Sequence, residues 1–367
     1  MSTTSKEGSI ARIIEESLCI EVTTHCNSGC RHCFVQAAVS ERSSLSIDVV
    51  KKIIAEGYDA GYRGLHITGG EPLLWEGLLK ALDYAFDIGY QTATMNTNGR
   101  LLTAAVAQKL VAYDGLSISV SLDGPETLHD RLRGKGAYKQ AVSGIDQAID
   151  AGIDLSIFTI ARKSLLPVLP HFIDDLFNKF YGIKYLTLIQ LIDVINDGFG
   201  LAEELLDPDD FLQLVQTLAL LNLYGLRAKL KNNQLANIVS KLMGMPWLPQ
   251  AHPLCKEGSL IIMADGNICL SHSSRDSFGK YAPRIIQKVL SSDEYQLAAG
   301  PNQSRCPACK YTELCRKNGM VRPWVPQVNP HPKEPYCKRV LDSVVVRSPR
   351  GQSCSKNSPL TSMVIGQ

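Results

Sequence analysis

Between residues 18 and 190, short runs of β-branched and aliphatic residues alternate with longer stretches whose apolar positions recur at helical spacing. That alternation predicts repeated βα units around a parallel sheet. Strands are expected near 18–23, 64–68, 91–95, 116–121, 155–160 and 184–189, with helices at 46–60, 75–88, 103–112, 137–151 and 166–180. In the first helix Ser46 is the cap, and Val49, Val50, Ile53 and Ile54 form an apolar stripe that faces a sheet. Six such units make an α/β chain built on a partial (β/α)6 TIM-like barrel. A further helix opens at Asp207, Pro208, Asp209 and Asp210, with Pro in its first turn and acids at the positive end of its dipole.

The pattern breaks at 243–253, MGMPWLPQAHP, where three prolines and a glycine mark a domain boundary. The expected organisation is an N-terminal extension over 1–17, a barrel core with its following helices over 18–242, a small cysteine-rich domain over 243–345 and a disordered Ser-rich tail over 346–367. Asp265-Gly266 signals a hairpin inside the third segment. Charge adds little: 38 Lys and Arg against 36 Asp and Glu give +2, which predicts neither a nucleic-acid nor a polybasic membrane partner. No stretch reaches the roughly 18 clean apolar residues of a span, and the N-terminus has no secretory pattern, so the chain is expected to be cytoplasmic. There the 11 cysteines stay as thiols, and thiols at short spacings suggest metal.

Directly after the first strand the chain reads Cys26-x3-Cys30-x2-Cys33, three thiols on one loop at the strand's C-terminal end, where βα enzymes place their chemistry. Three ligands leave a fourth metal position open, as in an iron-sulfur cluster with one free iron. Zinc completed by His25 or His32 is the plainer alternative.

This loop resembles the signature of radical S-adenosylmethionine (SAM) enzymes, and the next strand ends agree. Thr68-Gly69-Gly70-Glu71-Pro72 is similar to the family's GGEP motif, whose backbone meets the methionyl amine; Asn96-Thr97-Asn98-Gly99 and Ser121-Leu122-Asp123-Gly124-Pro125 are similarly family-like. By that resemblance Gly69, Gly70, Glu71, Pro72 and Asn98 belong to the SAM site, Ser121 contacts the ribose region, Arg133 grips the SAM carboxylate, and His32 recognises adenine through its backbone. A guanidinium fork suits a carboxylate. The residue before the third cysteine is often aromatic in the family, and here it is His32.

Downstream, Cys306-x2-Cys309-x5-Cys315 with Cys337 supplies four thiols, enough to enclose either structural zinc or an iron-sulfur cluster. The spacing resembles the SPASM extension of radical SAM enzymes, which implies one auxiliary 4Fe-4S cluster. A full SPASM domain carries a second, and here only Cys255 and Cys269 remain for it, with Ser271 and Gly319 at two expected cysteine positions. The extension is therefore expected to be truncated, with the inner cluster absent or incomplete and His272 a substitute ligand at most.

The resemblance implies reductive cleavage of SAM to a 5′-deoxyadenosyl radical that abstracts a substrate hydrogen, with electrons from a flavodoxin or ferredoxin-type reductant. The substrate ranked first is a ribosomally made peptide or protein, with a separate peptide-binding partner because little precedes the first strand. The runner-up is a tetrapyrrole or other small molecule, favoured by a basic pocket for which Arg162, Lys163, Lys229 and Lys231 are candidates. His66 and Asp193 are candidates for acid-base work. The alternative of another class is a non-catalytic zinc-binding interaction protein.

Overall fold

The computed structural model describes residues 13–33, 42–192, 201–246, 248, 257–272, 277–300, 309–311 and 336–347. Seven parallel strands run in chain order: β1 (Ile14–Glu21), β2 (Tyr62–Thr68), β3 (Thr92–Thr97), β4 (Leu116–Ser121), β5 (Asp154–Ala161), β6 (Ile183–Gln190) and β7 (Ala228–Lys231). Helices α1 (Ile47–Ala60), α2 (Leu78–Ile88), α3 (Ala104–Leu110), α4 (Glu126–Arg133), α5 (Ala137–Asp150) and α6 (Leu169–Lys179) fill the crossovers, followed by α7 (Pro208–Leu223) and α8 (Leu235–Leu242). Ser46 and Thr103 cap α1 and α3 through the Val49 and Val106 amides, and Asp207 forms a capping box with Asp210 on α7.

Strand alternation divides two environments. Leu18, Ile20, Leu65, Ile67, Ala93, Met95, Ile118 and Val120 are buried in the core, at about 1.5–3 kcal/mol for each large aliphatic side chain. Cys19, His66, Asn96, Phe158, Ile160 and Ile189, on the opposite face, line a cavity instead.

The sheet does not stop at the expected domain boundary. Strand β8 (Ile261–Ile262) pairs parallel with β1, matching Cys19 to Ile261, and continues through the Asp265-Gly266 turn into antiparallel β9 (Asn267–Cys269) and β10 (Ser277–Lys280). Gly266 takes φ 86° there, a conformation that costs glycine little. Tyr62 Oη donates to Gly258 O at 2.7 Å, and the Ala264 amide donates to Glu21 Oε1 at 3.1 Å, so buried bonds tie the two segments. The expected N-terminal extension is shorter than 1–17, because Ile14 already pairs with Tyr62. At the other end the last described helix, Tyr336–Arg347, runs two residues into the span expected as tail. Among the described residues no helix is long and apolar enough to cross a membrane.

Candidate active site

Cys26, Cys30 and Cys33 line one cavity of about 290 Å³ at the C-terminal ends of the strands, together with Gly69, Gly70, Asn98, Ser121, Arg133 and His32. Nine of the residues expected at the site thus share a single space. The loop that carries the thiols is held at several points. Arg31 N–H donates to Leu132 O at the end of α4, Cys33 N–H donates to Cys30 O, and Arg100 Nη1 donates to Asn27 O at 2.6 Å. Asn98 Nδ2 donates to Asn27 Oδ1 at 2.7 Å and to Ser28 Oγ at 3.2 Å, and lies 3.9 Å from Cys26 Sγ. Asn98 therefore fastens the end of β3 to the cysteine loop.

Glu71 is almost fully buried and does not line the cavity. Its carboxylate accepts from Thr97 Oγ1 at 2.7 Å, the Asn98 amide at 2.8 Å and the Leu73 amide at 3.1 Å. Burial pushes its carboxyl up and these donors oppose that rise, leaving a net increase. Its place is that of a strut between the second and third strand ends, with buried Pro72 opening the next turn. Beside it, Gly70 N–H donates to Thr23 O at 2.7 Å and Glu71 N–H to His25 O at 2.8 Å. A Cβ on Gly70 would be driven into the His25 and Thr24 carbonyls, and one on Gly69 would stand 2.5 Å from Thr23 O. Only glycine fits this crossing of the two loops.

Arg133 also has a partner within the protein. Its Nε donates at 2.5 Å to Asp123 Oδ2, while the residue still lines the cavity. Its other nitrogens lie 3.8 Å from Cys30 Sγ and 3.3 Å from His32 Nε2. Asp123 also accepts the Ile160 amide at 2.8 Å. Burial alone would raise the Asp123 carboxyl; Arg133, His32, His129 and Arg162 outweigh it and hold it well below the usual carboxylate range. Burial, then Arg133, pushes His32 down to about 3, so the ring is neutral, and its buried Nδ1 has no hydrogen-bond partner among the described residues. Arg162 is spent on the Asp123 and Leu128 carbonyls, and Lys163 sits exposed on Asp207 and Asp210, so neither forms a basic pocket.

A second group gathers in the same cavity: Cys19, His66, Lys231, Asn232, Ser271 and His272. His66 Nδ1 is bonded to Thr94 Oγ1 at 2.7 Å, and burial, then Lys231 and His272, holds the ring down to about 3. At that value the ring is neutral near pH 7. His272 Nε2 lies 3.1 Å from Glu21 Oε2, without hydrogen-bond geometry between them. Asp193 lies outside the described residues, as do Cys255, Cys306 and Cys315. Cys269 is buried in β9, opposite Ile261. Cys309 and Cys337 are half-buried; Tyr311, close after the first, and Leu341, one turn past the second, both pack against Ile238 of α8.

The first site suits a multi-iron cluster better than a single ion. Among the described residues no three Cys, His, Asp or Glu side chains converge as one ion requires, so zinc completed by His25 or His32 is not assembled. Burial raises the Cys26 thiol to about 11 and raises Cys30 against the pull of Arg133, so both carry protons that metal binding displaces. The N–H donors beside Cys26 and Cys30 and the unpartnered His32 Nδ1 fit a sulfur-rich anion with a hydrogen-bonding ligand next to it. Of the residues that build this arrangement, Asp123 was quoted from sequence only as part of the motif ending the fourth strand, with no role of its own, and Asn232 carried no signal at all.

The radical SAM superfamily profile matches residues 20–177. The chain is 34% identical over 160 residues to an AdoMet-dependent heme synthase of Nitratidesulfovibrio vulgaris, covering 43% of this chain and 42% of that protein. The match thus spans about two fifths of that relative's length. It is 26% identical over 356 residues to an Fe-coproporphyrin III synthase of Methanosarcina barkeri, covering 86% of each. Among solved structures, native anSMEcpe with bound AdoMet and Kp18Cys peptide aligns with a TM-score of 0.65 at 16% identity, covering 90% of this chain and 97% of that one. At that identity the likeness establishes the fold.

Proposed function

This chain belongs to the radical SAM superfamily, and from that premise we propose that it oxidatively modifies a peptide or protein by removing a hydrogen atom. The observation that carries the reading is the convergence of Cys26, Cys30 and Cys33 with the Gly69-Gly70 crossing, Asn98 and Ser121 on one cavity. When bound, a 4Fe-4S cluster and SAM supply one-electron cleavage of the sulfonium and a 5′-deoxyadenosyl radical. The three thiols would hold the cluster. Asn98 and the clamped Arg133 orient the loop and place N–H donors beside two of its sulfurs. Gly69 and Gly70 let a ligand amine approach the backbone, and Ser121 and His32 offer polar atoms to its nucleoside. Phe158, Ile160 and Ile189 form an apolar wall that keeps water from the reacting carbon.

The peptide reading draws support from the peptide bound to anSMEcpe, a protein similar across nine tenths of this chain. A tetrapyrrole or other small molecule is the second reading, favoured by the heme synthase and coproporphyrin synthase relatives. Cys306, Cys309, Cys315 and Cys337 would hold one auxiliary cluster able to accept the substrate's electron, and the common packing of Tyr311 and Leu341 on α8 supports bringing Cys309 and Cys337 together. A flavodoxin or ferredoxin-type protein would supply electrons. The test is anaerobic reconstitution followed by dithionite and SAM. Release of 5′-deoxyadenosine by the wild type and its loss in the Cys26, Cys30, Cys33 triple alanine variant is the expected result; equal release from both defeats the reading.

A further inference from the structure

Four basic side chains after the later strands were candidates for a charged pocket, and three are consumed elsewhere. Arg162 is bonded to backbone carbonyls, Lys163 to surface carboxylates, and Lys229 Nζ lies over the Tyr185 ring at 2.9 Å from its centroid. Lys231 differs. It ends β7 with its side chain on the cavity wall, and among the described residues no carboxylate stands within ion-pair distance of it. The acidic groups in its field are the more distant Glu16 and the Cys19 thiol, which burial keeps protonated.

The surrounding backbone is built to hold that lysine where it is. Asn232, the next residue and also on the wall, takes φ 58°, a left-handed conformation uncommon for a side-chain-bearing residue. Asn233 is fully buried and donates to the equally buried Gln190 Oε1 at 2.7 Å, pinning the turn to the end of β6. Strain of this kind persists where the surroundings over-determine it, commonly at a site. Lys231 stands opposite Ile189 in the sheet register, and His66, Phe158 and Ile160 line the same cavity. Lys231 is half-buried on the cavity wall, and a partly desolvated cation of this kind is favoured by an anion brought by a ligand.

We infer that Lys231, with Asn232 and His66, forms an anion subsite that takes a carboxylate of the substrate while the apolar wall takes the adjoining hydrocarbon. The inference rests on the superfamily reading for calling that ligand a substrate. It deepens the reading by requiring an acid-bearing one, whether an acidic side chain of a peptide or the carboxylate of a small molecule.

The test uses the anaerobically reconstituted protein saturated with SAM and titrated calorimetrically with 4-phenylbutyrate, its amide 4-phenylbutanamide, and the capped dipeptide acetyl-Phe-Glu-amide. The wild type should bind the butyrate about tenfold more tightly than the amide, the size of one charge-assisted bond. Lys231→Met should erase that preference, Lys231→Arg should keep most of it, and Lys229→Met should leave it unchanged. The acid that binds more tightly, butyrate or dipeptide, identifies the source of the carboxylate. The inference is overturned if the wild type binds acid and amide alike, including no binding of either, or if K229M abolishes the preference as fully as K231M. Iron content and SAM affinity measured on the same samples keep the two questions apart. Samples without iron or SAM binding would defeat the superfamily reading, while a Lys231-dependent preference for the acid would still stand.

Discussion

Asp123→Asn removes one negative charge from the centre of the barrel with almost no change in shape. In the wild type the fully buried carboxylate takes the Arg133 Nε–H on one oxygen and the Ile160 amide on the other. Asparagine keeps an oxygen for Ile160 and loses the charge that balances Arg133, whose side chain is only 11% exposed. Deleting one partner of a buried pair costs about 3–5 kcal/mol. The surviving amide bond and the opening of Arg133 onto the cavity place this variant at the lower end, at about 3 kcal/mol. Against a total stability of about 5–15 kcal/mol, that is a large fraction. Urea unfolding of the metal-free protein followed by circular dichroism measures it, and at a slope of roughly 3 kcal/mol per molar the midpoint should fall by about 1 M. The double variant with Arg133→Gln should lose less than the two single variants summed, with a coupling of about 1–3 kcal/mol. A midpoint unchanged to within about 0.5 kcal/mol, or singles that simply add, would show that the pair does not hold the fold as argued.

Four further outcomes follow from the same geometry. Gly70→Ala should abolish SAM binding and cost about 1–3 kcal/mol through overpacking against the His25 and Thr24 carbonyls, read by calorimetry and thermal melting. Tyr62→Phe removes the buried bond to Gly258 O and should cost about 1 kcal/mol without changing iron content. Iron per chain should drop by about four in the Cys26, Cys30, Cys33 triple variant and by a separate four in a Cys309, Cys337 double variant; a loss of zinc instead of iron from the second would make that knot structural. Burial holds His66 down to about 3 and His129 to about 4, so the unfolded chain binds protons below its own value of about 6.5 while the folded chain does not. Stability of the metal-free protein should therefore decline as the pH falls from about 6.5 toward 4, and His129→Gln should flatten part of that decline; above about pH 9 the buried Cys26 thiol, held up to about 11, adds a separate decline.

The βα alternation made strands β1 to β6 readable within a few residues because their core-facing positions are apolar, mostly Leu, Ile and Val with Ala93 and Met95 on β3, and because Ser46, Thr103 and Asp207 announce the helices they cap. Strand β7 was missed since its four residues, Ala-Lys-Leu-Lys, carry no β-branched side chain, and the pairing of β8 with β1 is a contact between distant segments that no local pattern encodes. Helical periodicity ran through Pro167, where the missing amide turns the first part of the expected helix into a 3-10 segment over Lys163–Val168. At the site, thiol spacing and the glycine pair picked out residues that the fold brings to one cavity. Roles were harder to read. The pairing of Arg133 with Asp123, ten residues away on another element, is not encoded in any local pattern. Glu71 was grouped with ligand contacts because its neighbours are, although its side chain turns into the protein.

The parallel pairing of β8 with β1 has a consequence for the making of the protein. Cys19 N–H finds its acceptor, Leu260 O, about 240 residues later in the chain. At translation rates of about 5–20 residues per second, the edge of the strand that leads into the thiol loop stays open for roughly 12–50 s after it leaves the ribosome. During that interval one flank of the nascent barrel offers unpaired backbone to any other chain. Strong overexpression should therefore drive this protein into inclusion bodies more readily than slow expression does, and iron supplied before the C-terminal strands arrive would meet a cavity still lacking its last wall.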